Sequence, residues 1–307
     1  MQKIAIIGAG RVGEAAAQFI AQRDLTRELV LIDIREGAAE GCALDIQETA
    51  PLFGFDTHLR GGADPALMAG AGLVIITAGI PRKPGMSRSD VLDTNVGIID
   101  GIVADIQKHA PQAILLVVSN PVDVLTWRAW RKSGWPRERV IGQAGVLDSS
   151  RMAAFVAMET GLCTCDIQAM VLGGHGDAMV PMLRYTTISG IPIAHFLDEE
   201  TLARIVARTR QGGAEVLALR QNSSAYDAPG AAIAQMAEAM ITDRKRVLPA
   251  IAILQGEYSY EEGAMGVPCV LGKNGVERIV ELDLQTEEAA MFRRSMDAVL
   301  ADIARLK

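Results

Sequence analysis

The first 33 residues restrict the fold more than any other stretch. Lys3-Ile4-Ala5-Ile6-Ile7 is an almost wholly apolar run, the pattern of a strand buried on both faces. Gly8-Ala9-Gly10-Arg11-Val12-Gly13 follows at G-x-G-x-x-G spacing. A helical stretch then runs from Glu14 to Ala21, and Leu29 to Ile32 forms a second apolar strand that ends in Asp33. In such a unit Gly8 permits the tight turn and Gly10 lets backbone approach a pyrophosphate. Gly13 lets helix and sheet pack closely, and the helix N-terminus offers free N–H groups to phosphate. Asp33 stands 20 positions after Gly13, where a carboxylate accepts hydrogen bonds from a ribose. Three glycines alone also fit a plain βαβ turn in which they serve only packing. Strand, glycines, helix, strand and terminal acid in one unit point to dinucleotide binding.

The alternation continues. Ala38 to Glu48 reads as a helix, Leu73 to Thr77 and Ala113 to Val118 as strands, and Val91 to His109 as the helix between them. Strands alternating with helices imply a doubly wound parallel sheet, an α/β Rossmann architecture. Ligands then sit beyond the carboxyl ends of the strands, where three segments carry chemistry. Ala78 to Arg88 is a Pro/Gly-punctuated loop with Arg82, Lys83 and Arg88, read either as a closing cationic lid or as a solvated surface loop. Ser119-Asn120-Pro121-Val122-Asp123 follows a strand; there Asn120 aims an amide at the crevice or merely caps a helix. Gly145 to Arg151 opens a helix on which Asp148 and Arg151 lie one turn apart, close enough to pair with each other.

Clean alternation stops near here, so the expected division is 1–145, a dinucleotide-binding Rossmann domain, and 146–307, an α+β catalytic domain. In the second half Ile167 to Leu172 reads as one apolar strand ending in Gly173-Gly174-His175-Gly176-Asp177. Strand signals recur at Tyr185 to Ile188, Ile191 to Ile193, Val247 to Leu254, Val267 to Leu271 and Val276 to Leu282. Helices are expected at Glu199 to Leu219 and Pro229 to Thr242, and the last has helical spacing at Phe292, Met296, Val299, Ile303 and Leu306. His175 is one of four histidines; it reads either as a structural or merely exposed histidine or, with its imidazole uncrowded among three glycines, as an acid/base group.

The net charge of −7 and pI near 5.2 argue against a nucleic-acid surface or an anionic membrane as partner. An anionic substrate must therefore meet a local arginine cluster. No apolar run approaches a membrane span, and the first strand begins at once, leaving no expected room for a signal peptide. Cys42, Cys163, Cys165 and Cys269 make neither a zinc nor a C-x-x-C pattern, so reduced, mostly buried thiols and no metal are expected.

From end to end the chain resembles the lactate/malate dehydrogenase family, most closely its lactate-dehydrogenase-like malate dehydrogenases of bacteria. The resemblance is carried by the glycine loop Gly8 to Gly13, Ile80 to Arg88, Asn120-Pro121, Asp148-Ser149-Ser150-Arg151 and Gly173 to Asp177. It implies reversible NAD-dependent oxidation of (S)-malate to oxaloacetate in the cytoplasm, as part of the tricarboxylic acid cycle, by a homodimer or homotetramer. His175 would exchange the hydroxyl proton and Asp148 would orient its imidazole. Arg151 would bind the carboxylate beside the reacting carbon, Arg88 would polarise the carbonyl oxygen, Asn120 would hydrogen-bond the same region, and Arg82 would face the far carboxylate. Gly8, Ala9, Gly10, Arg11, Val12, Gly13, Asp33, Asn95, Val118, Ser119 and Asn120 would bind the cofactor. Ser119 stands where the malate subgroup often has Asn, and Asp227 follows Tyr226 where a second aromatic is common. Arg35 suits a 2′-phosphate, but Asp33 repels one, so NAD is expected rather than NADP. A lactate or broader 2-hydroxy-acid dehydrogenase is the competing enzyme, and a non-catalytic NAD sensor the competing binding module. The set of His175, Asp148 and arginines speaks against the sensor.

Overall fold

The computed structural model describes residues 2–80 and 88–306, apart from the side chains of residues 88 and 89. The chain runs β1 (Lys3–Ile7), α1 (Arg11–Gln22), β2 (Glu28–Ile32), α2 (Ala38–Glu48), α3 (Ala50–Phe53), β3 (His58–Gly62), β4 (Leu73–Ile76), α4 (Arg88–His109), β5 (Ile114–Val117), α5 (Val122–Ser133) and β6 (Val140–Gly142). It continues as α6 (Gly145–Thr160), β7 (Ile167–Gln168), β8 (Val171–Gly173), β9 (Met179–Pro181), β10 (Thr187–Ile188), β11 (Ile191–Pro192), α7 (Glu199–Arg220) and α8 (Asp227–Ile241). The last elements are β12 (Arg246–Leu254), β13 (Gly263–Gly272), β14 (Gly275–Ile279) and α9 (Thr286–Ala304).

The order β3-β2-β1-β4-β5-β6 is parallel throughout, the doubly wound arrangement expected from the apolar runs. Alternate residues of these strands feed two cores. Ile4, Ile6, Leu29, Leu31, Leu73, Ile75, Ile114 and Leu116 face α1, α2 and α8. Ala5, Ile7, Val30, Val74, Ile76, Leu115 and Val117 face α4, α5 and α9. Burial on both faces is why β4 and β5 are wholly apolar and β1 and β2 are apolar after their first residues, Lys3 and Glu28. The order reverses between β1 and β4, and the crevice opens there. Phe292, Met296, Val299 and Ile303 lie on the buried side of α9, as their spacing requires.

The sheet does not stop at β6. β12 pairs antiparallel to it, Ile251 opposite Gly142, and the same sheet continues through β13, β8 and β9, with β14 also on β13. Parallel pairing thus changes to antiparallel between residues 142 and 251. A separate small sheet, β11-β10-β7, lies outside it.

Two expectations change. The run Ile167 to Leu172 divides at Ala169-Met170: β7 joins the small sheet and β8 the large one. All four cysteines are free, but only Cys269 is buried. Cys163 and Cys165 are exposed because one precedes and the other lies within a surface 3-10 turn, Thr164–Asp166, and Cys42 is half-buried.

Arg137 clamps the parallel–antiparallel seam. Its guanidinium donates to both carboxylate oxygens of Glu257 at 2.9 and 2.7 Å and to the Ile253 carbonyl at 3.1 Å. The Arg137 hydrogen bonds outweigh partial burial and hold the Glu257 carboxyl down at about 2, against an ordinary 4.5. A carboxyl depressed by folding stabilises the native state above its unfolded value and loses that contribution as pH falls. Glu257→Gln is therefore expected to cost about 1 kcal/mol at pH 7 for this partly exposed pair. In urea unfolding, the gap from the native protein should narrow progressively between pH 4.5 and about 2.

Candidate active site

The cofactor crevice is built by close approaches. Gly8 has φ +107° and its carbonyl accepts from Thr77 Oγ1 at 2.9 Å, locking the turn after β1 to the end of β4. A Cβ on Gly13 would lie 1.9 Å from the Gly8 carbonyl oxygen, whereas one on Gly10 would meet nothing within 4 Å. Gly13 therefore serves packing, and Gly10 borders open space at the start of α1, where no side chain caps the helix. Arg11 is exposed, with its guanidinium 5.4 Å from the Tyr226 ring. Asp33 accepts the Ala9 N–H at 2.8 Å and also pairs with Arg35, whose guanidinium donates to both of its carboxylate oxygens and to the Ala9 carbonyl. Burial acts to raise the Asp33 pKa, but the Arg35 and Ala9 bonds hold it below the usual range.

The loops after β4 and β5 are stitched to each other. Ser119 Oγ donates to the Ala78 carbonyl at 2.5 Å. Asn95 on α4 is buried and spends its amide on backbone, accepting from Ile80 N–H at 2.8 Å and donating to the carbonyls of Ile80 and Asn120 at 3.2 and 2.8 Å. It braces the crevice through this backbone. Asn120 is exposed and its side chain makes no hydrogen bond among the described residues. Pro121, not Asn120, is the N-cap of α5, so the capping alternative fails.

On the other side of the crevice one buried carboxylate joins a histidine and an arginine. Asp148, on the first turn of α6 and 2% exposed, lies 2.9 Å through Oδ2 from His175 Nδ1 and accepts from Arg151 Nη1 through Oδ1 at 3.3 Å. Asp148 and Arg151 do pair, then, but around a histidine 27 residues further on. Burial alone would lower the His175 pKa; the Asp148 charge and hydrogen bond, with help from Asp123, instead raise it above 6.5. For Arg151 burial wins, lowering its pKa despite Asp148. A Cβ on Gly212 would sit 3.1 Å from Arg151 Cδ, so the α7 glycine makes room for this arginine. The His175 loop is tied on two sides: Ser295 Oγ accepts Gly174 N–H at 2.8 Å and Asp123 Oδ2 accepts His175 N–H at 3.0 Å.

His175, Asn120, Asp123 and Ile80 share a cavity of ≈ 280 Å³. Arg82 and the side chain of Arg88 lie outside the described residues. The sequence reading singled out neither Asp123 nor Ser295; each acts through a backbone amide more than 50 residues away. Among the described residues no three His, Cys, Asp or Glu groups could hold a metal, and no helix is long and apolar enough to cross a membrane.

The glycine cradle, the open space at Gly10 and the strand-end Asp33 fit a dinucleotide, and the facing histidine–carboxylate–arginine set fits proton exchange with an anionic substrate. Residues 2–142 match the family model for the lactate/malate dehydrogenase NAD-binding domain, and residues 145–307 match its α/β C-terminal domain. A malate dehydrogenase of Thioalkalivibrio sulfidiphilus is 70% identical over 307 residues, all of both chains. The malate dehydrogenase of Picrophilus torridus superposes with a TM-score of 0.97 at 41% identity, over 99% of this chain and 97% of the other. The lactate dehydrogenase of Cryptosporidium parvum, complexed with lactic acid and nicotinamide adenine dinucleotide, gives 0.95 at 38% identity, over 99% and 98%. The chain belongs to the lactate/malate dehydrogenase family and is an NAD-dependent oxidoreductase.

The two inner glycines separate by experiment. Gly13→Ala is expected to lower the unfolding free energy by about 3 kcal/mol through overpacking. Gly10→Ala, whose backbone at φ −82° and ψ 179° suits alanine, should leave stability near native and weaken NADH binding at least tenfold. Thermal unfolding and NADH fluorescence titration of both variants check this.

Proposed function

We propose that the chain is a malate dehydrogenase, interconverting (S)-malate and oxaloacetate. The observation that carries this reading is the Asp148–His175 pair with Arg151 on the same carboxylate. Residues 1–145 bind the cofactor and 146–307 provide the proton-transfer pair. NAD, when bound, supplies the hydride acceptor for oxidation and the donor for the reverse reaction. Gly8, Ala9, Gly10, Arg11, Val12 and Gly13 line its pyrophosphate site and Asp33 its ribose site, exchanging Arg35 for ribose hydroxyls. Asn95, Val118, Ser119 and Asn120 shape the nicotinamide end.

Asp148 keeps a proton on His175 Nδ1, which leaves Nε2 to take the malate hydroxyl proton and to return it to oxaloacetate. The carboxylate also favours the imidazolium that forms. Arg151 grips the carboxylate beside the reacting carbon in a two-pronged pair. Asn120 hydrogen-bonds the reacting oxygen and Arg88 stabilises negative charge on it. Arg82 faces the far carboxylate and separates malate from lactate. Fold likeness does not make that choice, because lactate and malate dehydrogenases superpose on this chain about equally well. Leu44, Leu52 and Phe53 on α2 and α3 are exposed, which favours a homodimer or homotetramer built on that face. We place the enzyme in the cytoplasm.

Two outcomes test the chemistry. Malate oxidation needs neutral His175, so its kcat/KM should rise with pH to a plateau through a value above 6.5, while oxaloacetate reduction falls over the same range. Asp148→Asn should move that limb to lower pH and cut turnover. His175→Asn should lower turnover roughly 10²–10⁴-fold with NADH binding intact, and near-native turnover would refute the assignment.

Substrate choice rests on Arg82. Pyruvate leaves this cation without a partner in a closed site, a cost of about 2–5 kcal/mol. Oxaloacetate should therefore be preferred by roughly 30-fold to several thousand-fold in kcat/KM. Arg82→Gln should nearly erase or reverse the preference in parallel assays of NADH oxidation; an unchanged ratio would favour the broader 2-hydroxy-acid reading.

A further inference from the structure

A second carboxylate lies beside the proton-transfer pair. Asp123, in the first turn of α5, is 6% exposed. Its Oδ2 accepts the backbone N–H of His175 at 3.0 Å, while Oδ1 is buried and has no hydrogen-bond partner among the described residues. The side chain lines the same cavity as His175.

A buried carboxylate with one unpaired oxygen is poor structural material. Its desolvation is only half compensated, and an amide of the same shape would accept the same N–H bond without the charge. Tying down a loop does not require an acid here. Charge does matter to the neighbouring imidazole, since an anion in a low-dielectric pocket favours the protonated ring over the neutral one.

We propose that Asp123 is a positioning residue for His175, pinning its backbone through Oδ2 and adding its negative charge to that of Asp148 in favour of the protonated imidazole. The proposal rests on His175 being the acid/base group. Among the described residues the ionisable groups around Asp123 are His175 and Asp148, with Asp302 and Arg305 at the end of α9 lining the same cavity, 3.8 Å apart. Burial pushes the Asp123 carboxyl up to about 6, against the smaller opposing effects of the His175 N–H and charge. Asp123 is therefore anionic above about pH 6 and neutral below it. Its support for imidazolium is present at neutral pH and fades as the solution is acidified.

The test is a titration of the His175 ring by NMR in the free, full-length enzyme with isotope-labelled histidine, the signal being assigned with His175→Asn. Asp123→Asn preserves size and an acceptor for the His175 N–H but removes the charge. It should lower the His175 pKa by about half a unit or more and move the rising limb of malate kcat/KM by the same amount. Plateau kcat should stay within about threefold of native. Asp123→Ala removes the acceptor as well and should lower plateau kcat at least tenfold, a loss that Asn largely restores. NADH binding in each variant reports intact folding. An unchanged ring titration in Asp123→Asn overturns the electrostatic part, and native kcat in Asp123→Ala overturns the positioning part. If the native protein failed to oxidise malate, the functional reading would fall, while the ring titration would still decide whether Asp123 acts on His175.

Discussion

Everything on the substrate side depends on the burial of Asp148. A carboxylate removed from water is strongly unfavourable unless paired and hydrogen-bonded. This one is satisfied by two groups that come from different places, Arg151 from its own helix and His175 from the loop after β8. The requirement works in both directions: the acid needs its partners, and each partner is held where the acid can reach it. Orientation of the imidazole, its preference for a proton and the location of a guanidinium thus follow from one side chain. Its helix can come close because Gly145 packs on Pro249, where a Cβ would sit 2.7 Å from the proline ring.

The cofactor side achieves rigidity by a different route. Thr77, Ser119 and Asn95 are turned inward to bind backbone of neighbouring loops. The crevice is consequently defined by main chain, with glycines where it must come nearest a ligand. Arg35 behaves differently. It lies mostly in solvent and pairs with the strand-end acid Asp33.

Much of this is legible in the residue string, for reasons that can be stated. β1, β2, β4 and β5 are buried on both faces and so leave an unbroken apolar trace, and the glycine loop has a spacing dictated by packing. β3 leaves little trace. His58 and Arg60 are exposed on an edge strand, and Gly61 is small because a Cβ there would lie 2.1 Å from Ala39. β6 is three residues long and exists through pairing to β5 and β12. The break between β7 and β8 cannot be seen locally, since what divides the run is the choice of two different partner sheets. Site residues follow the same logic. Asp148 and Arg151 announce each other by helical spacing, but the histidine that completes them is distant in sequence. Asp123 and Ser295 act on amides that have no side-chain signature at all.

The seam at Gly142 and Ile251 has a consequence for how such a chain can change. A Cβ on Gly142 would lie 2.8 Å from that of Ile251, so the parallel and antiparallel parts share one continuous hydrogen-bonded surface at close quarters. Neither half has a finished edge where they meet. A fragment ending after β6 would present an open strand to solvent, an invitation to pair with another copy. The two halves are therefore not interchangeable cartridges: a substrate half grafted onto another cofactor half must bring a matching strand edge with it, and changes of specificity are more readily reached through loops than through recombination.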